Sequence, residues 1–350
     1  MRHGYEVKMT IPGSELEVHE TETPVEDDDA VVKVAGRSPT QLAIARFRAD
    51  KLSMISFVLS VLIILAAILA PFLVAFGVLH PNDLHQELLS DDGVAPEGRF
   101  GGVSWDHPFG VDPGTGRDLL SRLMLAITSS LSIALTGTIL TVIIGAVLGI
   151  VAGFSGGFVD AVVGRIIDLT LSFPQTMMLL ALAGPVVLML RRDVSDFPGL
   201  GFLAGADLSN GLFVIAILAV FGWPPVARVV RGQVLSIRER EFIEAARLLG
   251  ASRPRLYFKE VLPNVWAPVL VYVTLLVPAY ISAEAAFNFL GVGIKPPTPT
   301  LGNILADSVS YTSADPTYFF LPGALLALIV VVFNLVGDGA RDALDPKSHR

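Results

Sequence analysis

The sequence predicts an all-α integral membrane protein with about six transmembrane helices, and three observations carry that expectation. Hydrophobic residues make up 52% of the chain, and the mean hydropathy is +0.63. Charged residues make up only 17%, against about a quarter in soluble domains, and they are confined to short intervals. Between them lie uncharged runs long enough to cross a bilayer core, which takes roughly 20 apolar residues. The net charge of −8 averages over both sides of a membrane and says little about partners. The chain has no cysteine, which excludes disulfides, thiolate metal sites and cysteine nucleophiles.

Residues 1–38 carry the acidic run Glu26-Asp27-Asp28-Asp29 and few aromatic residues, and are expected to form a disordered cytoplasmic tail. The first apolar run begins only near Ser53, too far along for a cleavable signal peptide. Residues 39–80 are expected to hold an amphipathic segment and the first span, 81–122 an external loop, 123–346 a core of five further spans with a cytoplasmic loop at 228–263, and 347–350 a short tail. The uncharged runs lie between Lys51 and Asp83, Arg122 and Asp160, Asp168 and Arg191, Asp207 and Arg228, Glu260 and Glu284, and Asp315 and Asp338. The second exceeds one crossing, which leaves room for an interfacial start. Gly137, Gly145, Gly149 and Gly153 recur on it at spacings of four or eight, a face suited to close helix contact; glycine is also simply common in membrane helices. Pro174, Pro185, Pro224, Pro225, Pro268 and Pro278 are expected to kink spans.

Loop charges set the orientation. Arg228, Arg231, Arg238, Arg240, Arg247, Arg253, Arg255 and Lys259 place the 228–259 interval in the cytoplasm. Basic residues before the first span and after the last agree, because an even number of crossings puts both termini on that side. The interval from Asp83 to Asp118 is acid-rich and falls outside. Arg191 and Arg192 dissent, as a local exception to a bias summed over loops.

The basic loop reads as helix, turn, helix. Ile237, Phe242, Ala245, Ala246, Leu248 and Leu249 supply an apolar stripe, Gly250 ends the first helix in a left-handed conformation, and Pro254 opens the next turn. By pattern alone the stripe suits either a protein partner or the lipid interface. The literal sequence favours the partner. Glu244-Ala245-Ala246-Arg247-Leu248-Leu249-Gly250, followed by Val261-Leu262-Pro263, resembles the cytoplasmic "EAA" loop of bacterial ABC-importer permeases, with Glu260 where that family often has an apolar residue. His107-Pro108-Phe109-Gly110-Val111-Asp112 and Gly116-Arg117-Asp118-Leu119-Leu120-Ser121-Arg122 are similar to the second permease of dipeptide, oligopeptide and nickel importers.

That resemblance implies a type I importer-permease bundle in the bacterial cytoplasmic membrane, forming half of a pathway for di- or oligopeptides. Its implied partners are a second homologous permease, two ABC ATPase subunits that carry ATP and Mg, an external substrate-binding protein and the lipid bilayer, with no nucleic acid. The hairpin becomes the coupling element: Glu244 and Arg247 as polar rim contacts, Ala245, Ala246 and Gly250 as permitting close approach, and Leu262 and Pro263 as setting where the next span begins. The chain is expected to need no cofactor or metal of its own and to have no catalytic residues. The alternative is a stand-alone secondary transporter or channel, which leaves the hairpin unexplained.

The stretch from Gly110 to Arg117 superficially resembles a phosphate loop but lacks the Lys-Ser/Thr pair, so it reads as a turn-rich loop. His80, His85 and His107, with Asp83 and Asp106 nearby, read as exposed loop residues rather than metal ligands. Glu284 ends an uncharged run, and it reads either as part of the pathway, as a structural partner, or as a carboxylate hydrated at the interface.

Overall fold

The computed structural model describes residues 39–98, 100–196 and 206–344. The tail expected at 1–38, the terminal 347–350 and the side chains of Arg191 and Arg192 lie outside the described residues. The described chain is helical, with only two isolated bridges, Leu89 to Pro96 and Val111 to Asp118.

A short helix α1 (Pro39–Ala49) leads into α2 (Lys51–Ala75). Asp50 caps α2 by accepting hydrogen bonds from the backbone N–H groups of Leu52 and Ser53. The Ser53 hydroxyl and N–H hold its carboxyl below the usual carboxylate range. Next comes α3 (Leu119–Ser155), capped by Asp118 and ended at Gly156, whose φ is 63°. Its 37 residues extend about 55 Å, well beyond a hydrocarbon core of about 30 Å. The long second run is thus one continuous helix.

After α3 come α4 (Gly157–Ser172) and α5 (Gln175–Asp196), bent by 85° at the break between them. Phe173 is extended there, as a residue before proline must be, and Pro174 cannot continue the ladder. The expected third span therefore does not run unbroken from Asp168: its first turn belongs to α4, and the apolar part of α5 starts at Gln175. With the bent pair counted as one crossing, the described residues hold six candidate spans; five long apolar helices stand without it.

Helix α6 (Ala206–Ile237) runs further than its uncharged stretch. Arg228 and Arg231 were expected in the basic loop but lie within this helix. Arg228 meets Asp168 of α4 at 3.2 Å, and Arg231 forks onto Asp160 of α4, with one contact of 2.7 Å. The two pairs tie the end of α6 to α4. The hairpin follows as α7 (Glu241–Leu248) and α8 (Arg253–Arg255), then a π-helical stretch Leu256–Val261 and a 3-10 turn Leu262–Asn264. The remaining helices are α9 (Trp266–Phe289), α10 (Leu301–Ser308) and α11 (Pro316–Leu344).

The glycine face of α3 meets α6. A Cβ added at Gly145 would fall 2.7 Å from Cβ of Val226, one at Gly149 2.7 Å from the Ala227 carbonyl oxygen, and one at Gly153 2.9 Å from that of Arg231. The partner residue advances by four or eight whenever the glycine does (Leu218, Val226, Val230, Val234), so the two helices run parallel in one register. Near mid-span, Tyr280 of α9 closes this contact: its hydroxyl donates to the Leu218 carbonyl at 3.0 Å and lies 2.9 Å from the Thr141 hydroxyl.

Candidate functional site

At the end of the bundle where α6 stops, the hairpin grows out of the core rather than hanging from it. Ile243 of α7, fully buried, packs in one cluster with Val261 and Val265 from the hairpin's exit and with Ile150, Val230, Val234 and Ile237 from the spans. Polar and aromatic contacts fix the second arm and the hairpin's entry. The rings of Phe154 and Tyr257 meet edge-on at 5.2 Å, the Ser155 and Tyr257 hydroxyls lie 3.1 Å apart, and Arg238 donates to the Gly153 carbonyl at 3.2 Å. Eight residues are too few for a helix to stand alone in water, so these anchors decide whether α7 forms.

The turn is a Schellman motif. The Ala251 N–H donates to the Ala246 carbonyl at 3.0 Å and the Gly250 N–H to that of Arg247 at 2.9 Å. Gly250 has φ +79°, the left-handed conformation the sequence requires of it. Pro254 sits in the first turn of α8, where its missing N–H costs nothing.

Burial divides the expected apolar stripe. Ile243, which the stripe omitted, is the anchor, whereas Leu248 is 83% and Leu249 88% exposed. Phe242, Glu244, Ala245 and Pro263 are also exposed, and Ala246 and Leu262 are half-buried. Arg247 lies with its guanidinium carbon 4.7 Å from the Phe154 ring centroid, a cation–π contact with its own bundle. The hairpin thus presents two bare leucines, a phenylalanine and a carboxylate beyond a fixed base. Leu262 and Pro263 occupy the 3-10 turn that ends just before α9, so the fifth apolar run starts its regular helix at Trp266.

At the opposite end, Glu284 is fully buried where α9 meets α3 and α10. The Ser130 hydroxyl donates to its Oε2 at 2.9 Å, Asn288 donates to its Oε1, and the Thr300 side chain also bonds it. Ser130 in turn accepts the N–H of Leu301, the first residue of α10, at 3.0 Å. All four side chains are buried.

A second buried cluster had not been singled out in the sequence. Arg122, 2% exposed in the first turn of α3, donates to Asp112 at 2.7 Å, and Arg117 reaches the same carboxylate at 3.1 Å. The Thr115 hydroxyl and the Arg117 N–H complete its coordination. The phosphate-loop look-alike is therefore a turn closed on its own aspartate. Nearby the Tyr318 hydroxyl, on fully buried Tyr318, donates to Asp307 at 2.9 Å. The available signal was Arg122 itself: an arginine one turn inside a spanning helix needs an internal counter-ion. The loop histidines have carboxylate neighbours, His107 with Asp118 at 3.0 Å, His80 with Asp83 at 3.1 Å and His85 with Glu87 at 3.2 Å.

The family described as "Binding-protein-dependent transport system inner membrane component" matches residues 145–350, and that described as "N-terminal TM domain of oligopeptide transport permease C" matches residues 38–90. The dipeptide transport system permease protein DppC of Alkalihalophilus pseudofirmus is 33% identical over 89% of this chain and 90% of its own. The oligopeptide transport system permease protein OppC of Bacillus subtilis is 35% identical over 87% of this chain and 88% of its own. The protein of the same name from Escherichia coli K12 is 35% identical over 90% of this chain and 94% of its own. An inward-facing structure of the MetNI methionine ABC transporter superposes with a TM-score of 0.48 at 19% identity, over 64% of this chain and 96% of that one, too loosely to bear on function.

Proposed function

Because the chain belongs to the family of binding-protein-dependent transport system inner membrane components, we propose that it is a permease subunit of a peptide importer, forming half of the pathway beside a second, homologous permease. Two ATPase subunits supply ATP hydrolysis with Mg, and an external binding protein delivers di- or oligopeptides. The peptide assignment is supported by the names of relatives that match nearly end to end. In this reading the hairpin and both termini face the cytoplasm of a bacterium, in keeping with its basic residues.

The observation that carries the reading is the base of the hairpin. Ile243, Val261 and Val265 share one core with α3, α6 and α9, so a push on the hairpin moves the spans as a body. Leu248, Leu249 and Phe242 offer an ATPase an apolar surface, with Glu244 at its rim and the small Ala245 and Ala246 allowing close approach. Gly250 sets the angle between the arms, while Leu262 and Pro263 set where α9 begins. Glu284 serves as an internal junction between α3, α9 and α10 rather than as a pathway residue.

The test is transport in vesicles reconstituted with the partner subunits. Gly250→Val forces a β-branched residue into a left-handed conformation. Glu244→Arg reverses a charge at a partner surface, where like-charge contact costs several kcal/mol. Both variants are expected to insert and express as the parent does, yet to lose peptide uptake and either co-purification with the ATPases or substrate-stimulated ATP hydrolysis. Parental uptake by both variants rules out the hairpin as the coupling element. Uptake by this chain alone in ATP-free vesicles restores the stand-alone transporter.

A further inference from the structure

Two cavities adjoin at the hairpin's base, and Tyr257 lines both. The first, about 290 Å³, is an apolar groove along the hairpin-side half of α3, walled by Val142, Val147, Ile150, Leu262 and Trp266. The second, about 440 Å³, opens beyond the end of α3 between Phe154, Ser155, Arg247, Arg253 and Tyr257. Neither Arg247 nor Arg253 forms an ion pair among the described residues. Trp266, 55% exposed, stands in the first turn of α9, where an interfacial tryptophan belongs. The combined site is therefore amphiphilic: an oily slot parallel to a spanning helix, opening at the membrane surface into a pocket with two guanidiniums outside any ion pair, one of them stacked on Phe154, and two hydroxyls.

Lining and charge select the occupant. The slot is walled by apolar side chains along α3, a lining that suits a hydrocarbon chain. Two cations at the polar end call for an anion, and basic pockets beside spans are known to suit acidic headgroups. We propose that this site binds one anionic phospholipid, its headgroup between Arg247 and Arg253 and one acyl chain along α3. The lipid then bridges the hairpin and the span from which it receives its support. This rests on the chain's place in a membrane, not on the importer reading, and its test measures binding rather than transport, so each can fail without the other.

Trp266 is a built-in reporter. The full chain is reconstituted in phosphatidylcholine vesicles containing phosphatidylglycerol, with bromine on the acyl chains of one lipid or the other. The signal is the part of the tryptophan quenching that Trp266→Phe removes, which sets aside Trp105 and Trp223. Brominated phosphatidylglycerol is expected to quench Trp266 preferentially, and Arg253→Gln to reduce that preference about fivefold, the usual effect of one basic residue at a lipid surface. Val147→Phe, on the groove's exposed wall, should abolish the preference while non-selective quenching persists. Free glycerol phosphate should leave it unchanged, since the chain contributes to binding. Four results overturn the proposal: equal quenching by the two lipids; a preference that survives Val147→Phe, which marks general enrichment at a basic surface; displacement by glycerol phosphate, which marks a pocket for the anion alone; and no quenching by either lipid, which marks a groove filled by protein.

Discussion

Glu284 has different partners on its two carboxyl oxygens, Ser130 on α3 at one and Asn288 on its own helix at the other. Replacing it with leucine takes away the acceptor that Ser130, Asn288 and Thr300 share, although Asn288 keeps its bond to the backbone carbonyl of residue 284, and each buried donor left unmatched costs about 1–3 kcal/mol. Glutamine keeps the shape: its oxygen can face the Asn288 amide, which also donates to the backbone carbonyl of residue 284 at 3.1 Å, and its nitrogen can face the Ser130 hydroxyl, which can accept. Glu284→Leu is therefore expected to lower the melting temperature clearly in detergent, and Glu284→Gln to keep both stability and peptide uptake near the parent's. A glutamine variant that melts normally but has lost uptake assigns the charge to the pathway instead. Asp112 and Arg122 follow a different logic, because both are charged and buried. Removing one partner of such a pair costs about 3–5 kcal/mol, chiefly through the charge left behind. The 81–122 loop is thereby tied to the first turn of α3.

Among the elements, the α3–α6 contact sets how the bundle is built. Backbone oxygens of α6 lie where alanine methyls on α3 would stand, so even the smallest side chain must push the helices apart. Gly149→Ala is expected to destabilise by about 1–3 kcal/mol, the range for overpacked contacts. Gly164→Ala on α4 makes the same chemical change where a Cβ meets nothing within 4 Å, so it should be neutral or stabilise by up to about 1 kcal/mol through helix propensity. Opposite signs in thermal melting support the register described here; equal effects refute it. The same contact supports the hairpin, since Val230 and Val234 face α3 on one side and share the Ile243 cluster on the other.

For the whole molecule, the helix directions put residues 104 and 312 at one end and residue 252 at the other. Gly114 of the 81–122 loop lies against Tyr311, beside Thr312, so the two loops form one surface. The absence of cysteine makes single-cysteine labelling clean. An impermeant maleimide is expected to label cysteines at Ser104 and Thr312 in intact cells, and one at Ser252 only after the membrane is opened. Labelling of Ser252 from outside inverts the orientation and removes the hairpin from the ATPase side.

The sequence by itself determined the membrane class, the number of apolar runs, the four-residue glycine face and the left-handed Gly250. Each rests on local chemistry: hydropathy over a bilayer-length window, residue spacing, and one residue's lack of a Cβ. Where α6 ends, how the third run breaks, and which hairpin residues stay bare were decided only by tertiary structure. Arg228 and Arg231 lie on α6 opposite carboxylates 60 or more residues away, a pairing that chain order does not reveal. Ile243 is an anchor and Leu249 is open although both are apolar and on adjacent turns, because burial depends on which side faces Val261 and Val265. Charge and hydropathy are properties of a residue, but their compensation is a property of its neighbours, and those neighbours are brought together only by the fold.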